Sequence, residues 1–275
     1  MSLEAAPMLI VTDSAVDLPE VLPKSERVRV VSGEVWIDGE RFAGDSDQFW
    51  KALRAGAAFS TTPPTVSALA EAYRHTDLVI ALHVSAQLSA TVARAHEACQ
   101  RAGAGVVVVD TRSLSVGAGL LVAALDRVAR DPGGATSIIE VAQDLPERLH
   151  TFLIVQDVGA LRRSGRAGLL PDHHLAGMRP VVAAVRGRAV ILDQPKDRTR
   201  AVRHLVTHAS QSSGSTITRW ALGHGDADDL DDIVDQLSES FGRRPEFVSP
   251  IDPTAGVHVG ADAVVVGVMT DLADA

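Results

Sequence analysis

Three runs of β-branched and aliphatic residues, Leu9-Val11, Leu78-Leu82 and Val106-Val109, constrain this chain most, because each is apolar at every position and each runs into a turn and then a helical pattern. A strand exposed on one face alternates polar and apolar residues. An unbroken apolar strand is buried on both faces, and strand, turn and helix in repetition build a parallel sheet covered by helices. The turns that follow are rich in hydroxyls and carboxylates: Thr12-Asp13-Ser14 after the first strand, Ser85 to Thr91 after the second, and Asp110 to Ser115 after the third. Loops at the carboxyl ends of parallel strands are where α/β proteins place ligand-facing groups. The same residue types also serve as turn formers and helix caps.

The rest of the chain fills in around this frame. Val28-Val31 and Val35-Ile37 read as strands of a meander, with Asp38-Gly39 as a hairpin turn. Asp45 or Ser46 caps a helix that runs through Leu53 and stops at Gly56, and Thr65, behind Pro63 and Pro64, caps a second helix through Tyr73. Helices follow Ser89 and Val116. Asp131-Pro132-Gly133-Gly134 is the sharpest break, followed by a helix from Thr136 to Leu149. The second half reads as a strand at Thr151-Val155, short helices around Leu161 and Leu169, a hairpin around Gly187, a helix from Thr199, a strand at Ile217-Leu222, a helix from Asp228, and strands at Glu246-Val248 and Ala263-Met269. The expected fold is α/β, with two α/β domains at residues 1–149 and 150–275.

Composition excludes several functions. A formal net charge of −9 disfavours a nucleic-acid surface and an anionic membrane. Cys99 is the single cysteine, so no internal disulfide and no cysteine metal cluster is expected. The longest apolar stretches, Ala118-Leu125 and Ala263-Met269, fall short of the roughly 20 residues that span a bilayer, and the first residues lack a basic leader. A cytoplasmic protein without metal or cofactor is expected. No phosphate loop or zinc helix is present in the sequence, and Gly117-Ala118-Gly119 lacks the third glycine of a dinucleotide site. Asp226, Asp228, Asp229, Asp231 and Asp232 lack the glycine and terminal glutamate of a calcium loop and read as the acidic first turn of a helix.

Taken in order, the segments Thr12 to Pro19, Ser60-Thr61-Thr62-Pro63-Pro64-Thr65, Leu88-Ser89-Ala90-Thr91, Ser164-Gly165-Arg166, Arg198-Thr199, His224-Gly225-Asp226 and Gly256-Val257-His258-Val259-Gly260 resemble the DegV family over nearly the whole chain. The resemblance implies two α/β domains with a ligand in the cleft between them. It also implies a bacterial fatty-acid-binding protein that is not itself an enzyme, presenting a long-chain fatty acid's carboxylate to a separate ATP-dependent fatty acid kinase, which forms the acyl phosphate. By the same resemblance Thr61, Thr62 and Ser89 hold the carboxylate together with His258 and Arg166, while Arg198, His258 and Arg166 face the kinase or support phosphoryl transfer. Asp13, Ser14, Ser113 and Ser115 shape the surrounding loops. The last loop departs from the family pattern, with Val257 in place of Thr, Ala261 in place of Pro and Asp262 in place of Gly.

The residues fit such chemistry. Hydroxyls near helix N-termini, aided by backbone N–H groups, can hold an anion. Affinity would come from the tail, since burying about 14 methylenes at about 0.8 kcal/mol each releases about 11 kcal/mol before ordering costs. The alternative is a hydrolase or transferase acting on an anionic small molecule in the same cleft; Ser89, His258 and Asp13 supply the residue types of a triad, without a nucleophile elbow.

Overall fold

The computed structural model describes residues 8–74, 76–102, 105–130, 137–155, 177–212 and 217–270. The expected parallel sheet is present: β1 (Met8–Asp13), β2 (Val28–Val31), β6 (Leu78–His83) and β7 (Gly105–Asp110) lie in the order β2-β1-β6-β7, all parallel. One strand pairs otherwise than read from sequence. Val28–Val31 extends the first sheet beside β1, in register Ile10↔Val28, and so leaves the meander. The meander is instead a small antiparallel sheet, order β4-β3-β5, made of β3 (Glu34–Ile37), β4 (Glu40–Arg41) and β5 (Phe59–Thr62). Asp38 and Gly39 turn between β3 and β4 with φ of 52° and 87°, the two positive values that a two-residue hairpin requires.

The second sheet is mixed, in the order β10-β9-β8-β13-β11-β12, with β8 (Leu149–Ile154), β9 (Val181–Val185), β10 (Arg188–Asp193), β11 (Ile217–His224), β12 (Phe247–Pro250) and β13 (Val264–Thr270). Only β11 and β12 run parallel. Period-two alternation sorts its side chains into two cores. Leu153, Val155, Val182, Val265 and Met269 join the large core shared with the first sheet, whereas Phe152, Ile154, Val181, Trp220 and Val266 face a second core. That second core is closed by α6 (Arg198–Ser212) and α7 (Leu230–Phe241), numbered after α1 (Ser46–Arg54), α2 (Val66–Tyr73), α3 (Thr91–Ala102), α4 (Ser115–Arg130) and α5 (Ile138–Asp144).

α4 joins the layers. Every residue from Ser115 to Asp126 is buried, and the helix packs on β1 and β6 of the first sheet and on β8, β11 and β13 of the second. A helix apolar all round is the expected solution for an element with no solvent face. Its approach to the second sheet needs glycine on both sides, since a Cβ at Gly267 would lie 2.7 Å from Gly117 Cα.

Local capping follows the sequence closely. Asp45 and Gln48 form a reciprocal capping box at α1, and Thr65 Oγ1 accepts the Ala68 N–H at α2. The segment read as the last loop is a short helix, α8 (Pro253–Val259), capped by Asp252 with Pro253 in its first turn. The break at 131–134 and the short helices around Leu161 and Leu169 lie outside the described residues.

Candidate functional site

The strands end where the sheets, the small meander and α8 meet, and there they line a pocket that is partly open to solvent. The lining is divided in chemistry. Leu153 of β8, Val155 just beyond it, Val182 and Ala184 of β9 and Ala189 of β10 form one apolar wall, completed by Val84, Leu88 and Leu114 from the first half. These wall residues share a sheet face because Leu153 pairs with Val182, and Ala184 with Ala189. Among the remaining lining residues Ser14, Thr61, Thr62, Ser89, Thr91, Thr254, His258 and Asp13 are polar, set beside Ala15, Pro63, Pro64, Ala255 and Val259.

Hydrogen bonds bring these polar groups together from across the chain. Thr61 Oγ1 and His258 Nε2 are 3.1 Å apart. Ser14 Oγ accepts the Gly33 N–H at 3.0 Å and lies 3.2 Å from Thr254 Oγ1, while Ser89 Oγ and Thr91 Oγ1 are 2.8 Å apart. Thr254 in turn donates to Asp252 through both its N–H and its hydroxyl.

Four of the six residues singled out in the sequence, Thr61, Thr62, Ser89 and His258, therefore line one cavity. Two of them are set there by elements other than those read from the sequence. Thr61 and Thr62 belong to β5, an edge strand paired with β3, and do not stand at a helix N-terminus; Thr65 is the cap of α2. Ser89 does sit at the entry to α3, where it accepts the Thr91 N–H at 3.3 Å. Arg198 is elsewhere: its guanidinium makes two 2.8 Å bonds to the Asp229 carboxylate, donates to the Asp262 carbonyl, and does not line the cavity. Arg166 lies outside the described residues. Thr91, Thr254 and the alanine wall were not singled out, and only the Asp252-Pro253-Thr254 capping pattern marked Thr254 in the sequence.

Asp262, the departure that placed a carboxylate near the expected head group, is directed away from the cavity. Its side chain accepts from Arg54 at 3.0 Å, beside Asp226, and its φ of 59° is the left-handed conformation that glycine or aspartate adopts most cheaply. The two carboxylates hold the Arg54 guanidinium above its ordinary range.

Three carboxylates, Asp13 and Asp17 buried and Asp252 half-buried, lie close to these groups. Asp13 accepts from His83 Nδ1 and the Val84 N–H, each at 3.0 Å, and from the Ala15 N–H; His83 Nε2 lies 3.0 Å from the Tyr73 hydroxyl. Burial pushes that phenol up from its ordinary value. Asp17 accepts from Ser115 Oγ and from the Asp252 N–H, yet complete burial pushes it up to about 7, with the charges of Asp252 and Asp13 adding to the rise. Burial also raises Asp252, against the bonds from Thr254. A Ser89-His258-Asp13 relay is not assembled: Asp13 is bound to His83, Ser89 to Thr91, and His258 Nε2 faces Thr61.

Fold and site together define an α/β protein with a largely apolar pocket that gathers several hydroxyls, an imidazole and Asp13 from distant parts of the chain. The model of the DegV family of uncharacterised proteins matches residues 7–271, and the chain belongs to that family. A DegV domain-containing protein of Mycobacterium tuberculosis is 27% identical over 276 residues, covering 96% of this chain and 97% of the relative. Among solved structures, a fatty acid binding DegV family protein of Streptococcus agalactiae superposes with a TM-score of 0.86 at 20% identity, covering 97% of this chain and 100% of that one. The structure describing fatty acid binding of a DegV family protein from Thermus thermophilus superposes with a TM-score of 0.83 at 24% identity, covering 96% and 100%.

Proposed function

We propose that the chain binds a long-chain fatty acid, the tail against Leu153, Val155, Val182, Ala184 and Ala189 and the carboxylate at Thr61, Thr62, Ser89 and His258. The observation that carries this reading is one largely apolar pocket onto which Thr61, Thr62, Ser89 and His258 converge from distant parts of the chain. A buried carboxylate without partners costs several kcal/mol, so hydroxyls and an imidazole select it over other polar ends, while the wall supplies affinity. The fatty acid binding described for these two solved relatives supports the same occupant. The halves 1–149 and 150–275 each contribute one side of the container.

The chain serves as the substrate-presenting partner of a separate ATP-dependent fatty acid kinase in the cytoplasm, and not as an enzyme. Arg198, part-exposed and braced by Asp229, belongs to the kinase-facing surface together with Arg166. Two measurements test this. Mass spectrometry of an organic extract of the purified protein is expected to show a stoichiometric free fatty acid; an empty extract, with no uptake of added acid, removes the reading. Arg198→Ala is expected to retain fatty-acid binding and to slow acyl-phosphate formation by the cognate kinase at least about tenfold, as loss of a charge-assisted contact would. A parental rate would confine the function to lipid binding.

A further inference from the structure

Resting on the fatty-acid reading, we propose that Arg94 is a positioning residue that sets the head-group geometry by tying the two hydroxyl turns together. Arg94 lies on α3, one turn beyond Thr91, so the two share a helix face. Its Nη1 donates to the Pro63 carbonyl at 2.7 Å and to the Pro64 carbonyl at 3.0 Å. Both prolines line the cavity, directly after Thr61 and Thr62. The ladder between β3 and β5 ends at the pair Glu34↔Thr62, and neither proline has an N–H to extend it. Beyond that point the two carbonyls tie the end of the Thr61-Thr62 segment to α3, at whose entry Ser89 and Thr91 stand.

The contact is local to the polar end. Arg94 is half-buried, and among the described residues no carboxylate lies in ion-pair range of it, so its charge is spent on the two carbonyls and on the field felt by an anion nearby. Both of these hydrogen bonds go to the turn after Thr62. Loss of the clamp is therefore expected to loosen carboxylate recognition while leaving tail burial as it was. Without it, Thr61, on the side fixed by His258, and Ser89, on the side fixed by Thr91, no longer converge.

The test compares oleate with oleyl alcohol, which share a tail and differ at the polar end, by displacement of a fluorescent fatty acid. The parental protein is expected to prefer oleate. In Arg94→Met the oleate affinity is expected to fall at least about tenfold, the alcohol staying within about twofold, because the lost bonds serve a charged ligand alone. Arg94→Lys, which keeps the charge and loses the fork geometry, is expected to fall between the two. An unchanged oleate-to-alcohol ratio in Arg94→Met, or an equal loss for both ligands, overturns the proposal and leaves the fatty-acid reading intact. Should Arg94→Met fail to unfold cooperatively, the same ratio in Arg94→Lys decides, an unchanged value again overturning it. A parental protein that binds neither ligand removes the fatty-acid reading and this inference with it.

Discussion

Thr61 and His258 stand 197 positions apart in the chain and 3.1 Å apart in space, and their pairing at the cavity makes each a direct test of the site. Replacing Thr61 and Ser89 together by Ala removes two neutral donors whose bonds to a charged acceptor are each worth on the order of 1.5–3 kcal/mol. Fatty-acid affinity is expected to drop at least about a hundredfold while the fold is kept, since Thr65 carries the cap of α2 and loss of the Ser89 bond to the Thr91 N–H costs about 1 kcal/mol. Unchanged displacement of a fluorescent fatty acid would return both hydroxyls to a purely local role. Asp17 gives a second test, in pH. Unfolded, it ionises at its ordinary 3.8; folded, burial raises it to about 7. Between those values the folded state holds a proton that the unfolded chain has lost. Its contribution to stability is therefore complete below the lower value, falls as pH rises, and is gone above the upper one, a change on the order of 4 kcal/mol. Asp17→Asn keeps an acceptor for the Asp252 N–H and a donor for Ser115 without an ionisable group, so urea unfolding should show the variant gaining on the parent from pH 4 to pH 8. Parallel pH profiles would show that Asp17 ionises without cost.

Among the elements, α4 joins the two sheets, wedged between them with Gly117 against Gly267 of β13. A methyl at 267 meets helix backbone at 2.7 Å, so neither a rotamer change nor a flexible tip relieves it. Gly267→Ala is expected to cost about 1–3 kcal/mol by overpacking. A midpoint of chemical denaturation equal to the parent's would mean that helix and strand separate freely. The sequence shows why some elements were legible and others were not. β1, β6 and β7 announced themselves as unbroken apolar runs, and α1 and α2 by caps whose chemistry is local: Asp45 with Gln48, and Thr65. β5, with the sequence Phe-Ser-Thr-Thr before two prolines, reads as a turn because its strand character comes from pairing with β3. α8, at seven residues with glycine in the middle, has too little helix preference to stand out; Asp252 and Pro253 define its start only once the fold has put Asp17 there to bind the Asp252 N–H. Pairing of β2 with β1, rather than with β3, is likewise a tertiary choice that β-propensity does not encode. The hydroxyl residues of the site were thus visible one by one, whereas the wall of Ala184, Ala189 and Val182 was hidden among the many alanines and valines of the chain, which gain meaning only through register.

At the scale of the whole molecule the cavity is part of the core. Val84, Leu88 and Leu114 reach it from the first half, Leu153, Val155 and Val182 from the second, and the same cluster continues into α4 and the residues of both sheets around it. A bound acyl chain would complete the packing between the two sheets, and its removal would leave apolar walls facing one another without contact atoms. The delipidated protein is accordingly expected to unfold at a lower temperature than the loaded one. Oleate at a hundred times its dissociation constant should stabilise it by about 2.7 kcal/mol, a shift on the order of 5 °C for a chain of this size. The transition should move as a single step, because α4 packs against both sheets and neither keeps its large core without it. Differential scanning calorimetry with and without oleate measures both properties at once. A shift in the parent that shrinks in the Thr61→Ala, Ser89→Ala double variant ties the stabilisation to the head-group site. Two resolved transitions, of which only one responds to oleate, would instead mean that one half binds the ligand alone, and the container shared between 1–149 and 150–275 would have to be abandoned.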